Sequence, residues 1–346
     1  SAVTTGNRLR LHNVILVTLL TLPLAACIRP IGPDYEEPEL VTADQWHQDL
    51  VEGINSGDAD FQTWWEALND PQLNSLIERA GDSNLDLRAA IARIDEARAQ
   101  LGIASGERWP DVDGFGSAQR QRTSAGVAGA SDKLPPANST GGGIQASWEF
   151  DLWGRVSRSI ESAGANYEAS VENYRDVLVV LYADVGTNYV VLRQLQHRLL
   201  SARSNVDAQR ETLKIVEARY KAELAPALDL RQAELNLATT ESSIPGLEAA
   251  NIQTITRQSV LLGQQPGELY DELLATGPIP PPPASLAVGI PADLARRRPD
   301  IRRAERNLAA QTAVIGIAEA GLYPNFFIGG DFGYATVGGR LLESDN

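Results

Sequence analysis

The sequence predicts a mostly α-helical protein with a β-barrel contribution, built as a duplicated unit of very long helices and transmembrane β-hairpins. Three observations lead there. From Arg155 to Ala222 the chain holds no proline, and only Gly164 and Gly186 interrupt strong helix formers. A helix of roughly 65 to 70 residues at ~1.5 Å per residue would be about 100 Å long, several times an ordinary globular helix. From Gly143 to Trp153, Ile144, Ala146, Trp148, Phe150 and Leu152 alternate with Gln145, Ser147, Glu149 and Asp151, the two-residue period of a strand with one apolar and one wet face. Finally, Asp86–Pro110 lies on Asp300–Pro324 without a gap, sharing 8 of 25 residues at an offset of 214, where about two would match by chance.

Composition narrows the function. The chain has 346 residues, with 45 Asp plus Glu against 30 Lys plus Arg and a net charge of −15 at pH 7; a sequence-independent grip on nucleic-acid phosphates is excluded. At 43% hydrophobic and 22% charged, it can bury a substantial core. The single cysteine, Cys27, allows neither an intramolecular disulfide nor a cysteine zinc cluster. His12, His47 and His197 are scattered, and Asp58/Asp60 and Asp111/Asp113 lack pocket context, so no catalytic residue, cofactor or metal site is expected.

In chain order, residues 1–26 read as an export signal: Arg8 and Arg10 precede an apolar run from Val14 to Leu24, too short for a comfortable membrane span. Leu24-Ala25-Ala26-Cys27 then resembles a bacterial lipobox, which would leave Cys27 as a lipidated N-terminus, and Ile28 fits sorting to the outer membrane. A plain signal with a chance cysteine is the alternative. Residues 27–70 form a polar strap with Trp46, Trp64 and Trp65 as packing anchors. Residues 71–108 show helical spacing, with a start at Asn84-Leu85-Asp86 and a stop at Gly106 and Pro110.

Residues 109–153 form a transmembrane hairpin in which Asp111–Gln121 is the weaker strand, Ser124–Gly142 the loop and Gly143–Trp153 the clear strand. The long helix follows over 154–222. After a break at 223–230 come shorter helices over 231–267, separated by Pro245, and a connector over 268–297 that includes the extended run Pro278–Pro283. A second copy of the unit starts at 298 and runs to 346, where the strand pattern returns. Alternation assigns Ile144, Ala146, Trp148, Phe150, Phe326, Ile328, Phe332 and Tyr334 to lipid, and Gln145, Ser147, Glu149 and Asp151 to a water-filled lumen.

Several motifs carry a resemblance. Gly32-Pro33-Asp34-Tyr35 with Pro38, Phe150-Asp151-Leu152-Trp153-Gly154, Ile244-Pro245-Gly246-Leu247-Glu248, and Arg297-Arg298-Pro299-Asp300-Ile301-Arg302 followed by Ile315-Gly316-Ile317-Ala318 resemble the TolC-like outer membrane factors, in particular the NodT-type efflux lipoproteins. The resemblance implies a homotrimer in the bacterial outer membrane, each protomer giving four strands to a twelve-stranded barrel and helices to a tunnel in the periplasm. It also implies an exit duct for drugs or other small solutes, partnered by a periplasmic adaptor and an inner-membrane RND-type transporter. A periplasmic adaptor or coiled-coil scaffold is the rival reading; a duct for metal efflux or type I protein secretion is another.

In that family the first periplasmic tip, where the adaptor docks, reads Gly-Leu, three variable residues and Asp-Val. Here it reads Glu223-Leu224-Ala225-Pro226-Ala227-Leu228-Asp229-Leu230. A glycine ending a helix there adopts the left-handed region, where Glu223 costs roughly 1 kcal/mol; Asp229 also suits an N-terminal helix cap. Compared with the family, the second copy lacks its return strand, long helix and second tip. The expectation is therefore a C-terminally truncated chain that leaves the stripe of Val177, Leu181 and Val185 uncovered, and whose residues 27–346 alone form no conducting trimer.

Overall fold

The computed structural model describes residues 29–39, 46–57, 63–122, 124 and 136–337; the export signal and Cys27 lie outside them. Two compact units divide the chain. The first draws on residues up to Glu37, on Glu96–Glu168 and on Glu305 onward, the second on Pro38–Asp95 and Ala169–Ala304.

In the second unit a two-residue strand, β1 (Ile54–Asn55), and a 3-10 turn (Trp64–Leu68) lead into α1 (Pro71–Ser83). Asp70 starts α1: its Oδ1 accepts from the backbone N–H of Gln72 (2.9 Å) and Leu73 (3.1 Å), and Pro71 fills the first helical position, where a missing N–H costs nothing. Leu73, Leu76, Ile77 and Ala80 then fall on one helical stripe and are fully buried. Asn84 divides α1 from α2 (Leu85–Gly106), its Oδ1 accepting from the N–H of Asp86 (2.8 Å) and Leu87 (3.0 Å). Where the sequence placed a helix start, the structure has one.

The long helix is α3, Arg155–Lys221, 67 residues in one piece. After a short break comes α4, Ala227–Leu261, which corrects the expectation of shorter helices separated by Pro245: α4 runs 35 residues with Pro245 inside it. A proline removes one backbone donor and crowds the preceding turn. Here the turns just before it are retied by hydroxyls, Ser242 to the Thr239 carbonyl (2.8 Å) and Ser243 to that of Thr240 (2.7 Å). α4 is also tied to α3 on both sides of the proline, through Glu241–Arg210 and Glu248–Arg203, each 2.7 Å. Tertiary contact keeps helical a segment that local propensity would divide.

The core of this unit is built from Trp65, the stripe of α1, and Leu181, Val185, Tyr189 and Leu192 of α3, closed by Ile255, Leu262 and Leu273. The expectation that Val177, Leu181 and Val185 stand uncovered is thereby overturned: Leu181 and Val185 are buried and Val177 packs against the same cluster. Trp65 does anchor the strap, edge-on to Tyr182 at 4.9 Å. Trp46 is exposed but donates its indole N–H to the Gly289 carbonyl (3.0 Å). Beyond α4 a single helical turn, α5 (Tyr270–Leu273), leads to the proline-rich connector, whose β4 (Leu286–Ala287) pairs in parallel with β1, and then to α6 (Pro291–Arg297).

The first unit holds a three-stranded antiparallel sheet in the order β2 (Asp111–Gln121), β3 (Ala137–Phe150), β5 (Phe326–Val337). The last helix, α7 (Pro299–Ala320), leads into β5 as α2 leads into β2, so the first strands of the two sequence copies flank the same β3. β3 begins six residues before the alternation becomes clear and ends at Phe150. Gly141 and Gly142, assigned to the loop end, are strand residues like Gly143, and Asp151 to Trp153 lie beyond the strand. Among the described residues, no helix is long and apolar enough to cross a membrane.

Candidate functional site: a two-faced sheet, its clasp and the helical tip

Register decides the faces of the sheet, since directly opposed residues share one. Ile144, Ala146, Trp148 and Phe150 stand opposite Phe332, Gly330, Ile328 and Phe326, Gly142 stands opposite Tyr334, and Val112 stands opposite Ala146. All eight residues assigned to lipid therefore share one face, and Trp148 meets Phe150 edge-to-face at 5.7 Å. Large apolar side chains on it, Phe332 and Tyr334 above all, are open to solvent in the isolated chain. An apolar face of this kind marks a surface that is covered in use, by lipid or protein.

The opposite face carries Gln145 between Asp113 and Asp331, Ser147 between Asp111 and Gly329, and Glu149 beside Phe327. One of the four residues assigned to the lumen needs correction. Asp151 is not in the strand: its Oδ1 accepts from the Val156 N–H (3.0 Å) and its Oδ2 from the Ser157 N–H (2.8 Å), so it closes the start of α3. A carboxylate there also meets the positive end of the helix dipole. Glu149 keeps its face, but its carboxylate is held by Arg155 through bonds of 2.8 and 2.6 Å. Sequence reading missed Phe115 and Phe327, which the register puts on the polar face although they are 45% and 66% exposed. The signal for Phe115 is Gly143 opposite it: a Cβ there would come within 3.1 Å of the phenyl ring.

Where strand passes into helix, the motif residues converge on a clasp. Gly154, at φ +80°, lies against Pro30, and a Cβ on it would sit 2.4 Å from that ring. Gly32 and Gly316 meet backbone to backbone, a Cβ on Gly32 falling 2.4 Å from the Gly316 Cα. The buried Arg158 of α3 reads the strap's carbonyls, donating to Ile31 (3.1 Å) and Gly32 (3.0 Å), and pairs with Asp34 (2.8 Å) and Glu161 (2.7 Å). Ile31 in turn donates to the Trp153 carbonyl (3.0 Å), and Trp153 stacks on Tyr323 at 4.7 Å. The Tyr35 hydroxyl donates to Glu305 (3.0 Å), with the Arg306 guanidinium over its ring. Burial first, then that carboxylate, raises the Tyr35 pKa.

The arginine-rich motif has a structural role of its own. In the second unit Arg302 reaches Glu172 (2.8 Å) and Arg303 reaches Asp176 (2.9 Å) and Asn173 (2.7 Å), fastening the start of α7 to α3. Arg298 and Asp300 close the turn with bonds of 3.0 and 2.6 Å.

At the tip, α3 ends at Lys221 and Glu223 stands at φ +57°. The Leu224 N–H bonds to the Arg219 carbonyl and the Glu223 N–H to that of Tyr220, both at 2.9 Å, which is the Schellman closure with Glu223 where glycine is favoured. The helix restarts at Ala227, earlier than expected, so of the eight tip residues only Glu223, Leu224, Ala225 and Pro226 are outside helices. Asp229 is not the cap; that position is Pro226, which offers no side-chain bond, and Asp229 lies in the first turn, where its charge suits the dipole. Leu224 and Leu228 are both exposed.

Two outcomes are expected. Glycine at position 223 relieves the left-handed strain, so Glu223→Gly should stabilise the tip by about 1 kcal/mol and slow amide exchange at Leu224 about fivefold; unchanged or faster exchange would show that Glu223 is unstrained. Hydrogen bonds from Arg29, then from Arg158, hold the Asp34 carboxyl below the usual carboxylate range. A depressed folded pKa gives stability that is complete above the unfolded value of about 3.9 and lost as pH falls through the folded one. Protection of the Ile31 amide should therefore exceed that of an Asp34→Asn variant at neutral pH and converge on it only below pH ~4. A constant ratio down to pH ~2 would remove Asp34 from the clasp.

Comparison with known proteins agrees with this architecture. Residues 76–264 match the family model described as "Outer membrane efflux protein". Nodulation protein T of Rhizobium leguminosarum bv. trifolii is 34% identical over 311 residues, covering 90% of this chain and 65% of that protein. The toluene efflux pump outer membrane protein TtgC of Pseudomonas putida is 30% identical over 344 residues, covering 93% and 69%. Among solved structures, the outer-membrane channel OprN superposes with a TM-score of 0.79 at 32% identity, covering 90% of this chain and 73% of that one. CusC gives a TM-score of 0.71 at 25% identity, covering 89% and 68%. The chain thus spans a little under two thirds of the length of nodulation protein T, 65%, and on this likeness it belongs to the outer membrane efflux protein family.

Proposed function

We propose that the chain forms part of a passive outer-membrane duct, a homotrimer through which a tripartite pump expels drugs or other small solutes. The observation that carries this reading is the sheet: one face apolar from Phe326 to Tyr334, the other acidic and polar, on a unit whose β3 runs on into a 67-residue helix. Lipid would cover the first face while the second lines water. In this reading the acidic side chains of the wet face act as a field on what passes. Relatives named for export of toluene, pyoverdine and antibiotics support small organic cargo.

Energy would come from an inner-membrane RND-type transporter and reach the duct through a periplasmic adaptor docked at Glu223–Leu230, where Leu224 and Leu228 offer exposed apolar contact. Cys27 would carry the lipid.

Arginine at position 332 would stand in hydrocarbon, at a cost of about 2–4 kcal/mol near the midplane. A host complemented with Phe332→Arg should lose the protein from its outer membrane and accumulate a fluorescent efflux dye like the deletion strain. Gln145→Arg, one strand over on the wet face, should restore efflux. Rescue by Phe332→Arg and failure of Gln145→Arg would reverse the faces and remove the duct. Separately, radioactive fatty acid should label the protein and not its Cys27→Ala variant; label retained by that variant would place the anchor elsewhere.

A further inference from the structure

We infer that Glu223 selects the partner at the tip: its carboxylate pairs with a cationic side chain, arginine above all, that the periplasmic adaptor presents between apolar residues. This rests on the reading of the tip as the place where the adaptor docks. Among the described residues two non-glycines stand at positive φ, Asn69 at +50° and Glu223 at +57°. Asparagine tolerates the left-handed region, and Asn69 also returns a side-chain bond to the Ala67 carbonyl (3.3 Å). Glu223 has neither excuse. Its side chain is exposed and forms no hydrogen bond or ion pair among the described residues. Arg219 and Lys221, the basic residues in the last turn of α3, leave it unpaired.

The chain has an unstrained solution for the same geometry. α4 ends in the same closure with Gly263 at φ +67°, its N–H bonded to the Val260 carbonyl and the Gln264 N–H to that of Ser259, both at 2.9 Å. A side chain is excluded there, since a Cβ would fall 2.3 Å from the Ser83 carbonyl oxygen. At position 223 a side chain is present, at a conformational cost that no contact within the chain offsets. Such an outlier on an exposed turn points to a contact made with another molecule. The neighbours give the chemistry of that contact. Leu224 and Leu228 are 71% and 73% exposed, so a partner that covers them also strips water from the adjoining carboxylate. An anion so dried is costly unless a cation meets it. A guanidinium does so with two parallel N–H bonds, which an ammonium cannot supply.

The test uses the full chain in detergent and a synthetic, disulfide-closed helical hairpin with Leu-Arg-Leu at its turn. The same hairpin with glutamine for arginine is the comparison, and fluorescence anisotropy follows binding. The expected result is about tenfold tighter binding of the arginine hairpin, and no preference in Glu223→Gln. Glu223→Gly should lose the preference while its Leu224 amide exchanges more slowly, a firmer tip with a weaker grip, which a purely structural role for Glu223 would not give. Equal affinity for the two hairpins on the unmodified chain, no saturable binding of either, or a preference kept by Glu223→Gln would each overturn the proposal. Dye efflux restored by the unmodified chain measures the duct itself, so the two readings fail by different results.

Discussion

A guanidinium taken out of water seeks acceptors for its N–H donors, and two such groups on the long helix decide where irregular segments of the chain lie; Arg193 finds them for both terminal nitrogens but not for its Nε among the described residues. Arg158 and Arg193 are each only 3% exposed. In its own unit Arg158 takes the Ile31 and Gly32 carbonyls of the strap. In the other, Arg193 takes the Ala275 carbonyl (2.9 Å), with Gln72, Gln196 and the Tyr189 hydroxyl as further acceptors. Its neighbours continue the pattern: Gln196 donates to the Leu273 carbonyl (2.6 Å) and His197 lies 3.0 Å from that of Gly277. Carbonyls 273, 275 and 277, from the end of α5 into the connector, are thus all taken by α3. Arg193 has no carboxylate in direct contact among the described residues; Tyr189 bridges it to Asp70 through a 2.7 Å bond. Burial, and then that bond, push the Tyr189 pKa up to about 12. Neutral acceptors and one relayed charge replace the costly direct burial of an ion pair.

Much of this was legible in the sequence, and the reasons for the exceptions are specific. The long helix needed only the absence of proline and a helical period. The register of the apolar face followed from strict alternation, because a strand that slips by one residue turns every side chain over. What failed were signals that tertiary contact overrides. Pro245 reads as a breaker, yet hydroxyl bonds and ion pairs from α3 hold α4 together across it. Asp151 fits the alternation and still belongs to a helix start, because the strand ends one residue earlier. The stripe of Val177, Leu181 and Val185 was read as waiting for a missing helix, whereas α1 and Trp65 already cover it; periodicity shows that a face is buried, never by what. The Arg158 clasp was visible only as a motif, since nothing local says that residue 158 meets residues 31 and 34.

The duplication separates what the two copies share from what each uses. At the offset of 214 the shared positions cluster where helix passes into strand: Gly102 with Gly316, Pro110 with Pro324, Trp109 opposite Tyr323. In the second copy these are engaged. Gly316 admits the strap, and Tyr323 stacks on Trp153. In the first copy they are idle, for a Cβ on Gly102 would meet nothing within 4 Å and Trp109 is 72% exposed. Two of the docking cations are the reverse case, present in one copy alone: Ala89 and Ala92 stand where the second has Arg303 and Arg306, whereas Arg302 is matched by Arg88.

Equal sequence with unequal contact calls for a physical cause. A glycine that leaves open space and a tryptophan left in solvent carry no benefit to the isolated chain; Gly102 inside α2 even weakens it relative to alanine, by about 1 kcal/mol. Residues retained against local cost are those that meet something in the working assembly. The same holds for the sheet, whose outer strands β2 and β5 pair, among the described residues, with β3 on one side only. In hydrocarbon each unpaired backbone group costs several kcal/mol, so a membrane sheet of this kind requires further strands on both edges. In the proposed duct those strands come from other parts of the barrel, and with them would come surfaces for Gly102 and Trp109 corresponding to the strap and the indole that Gly316 and Tyr323 already have.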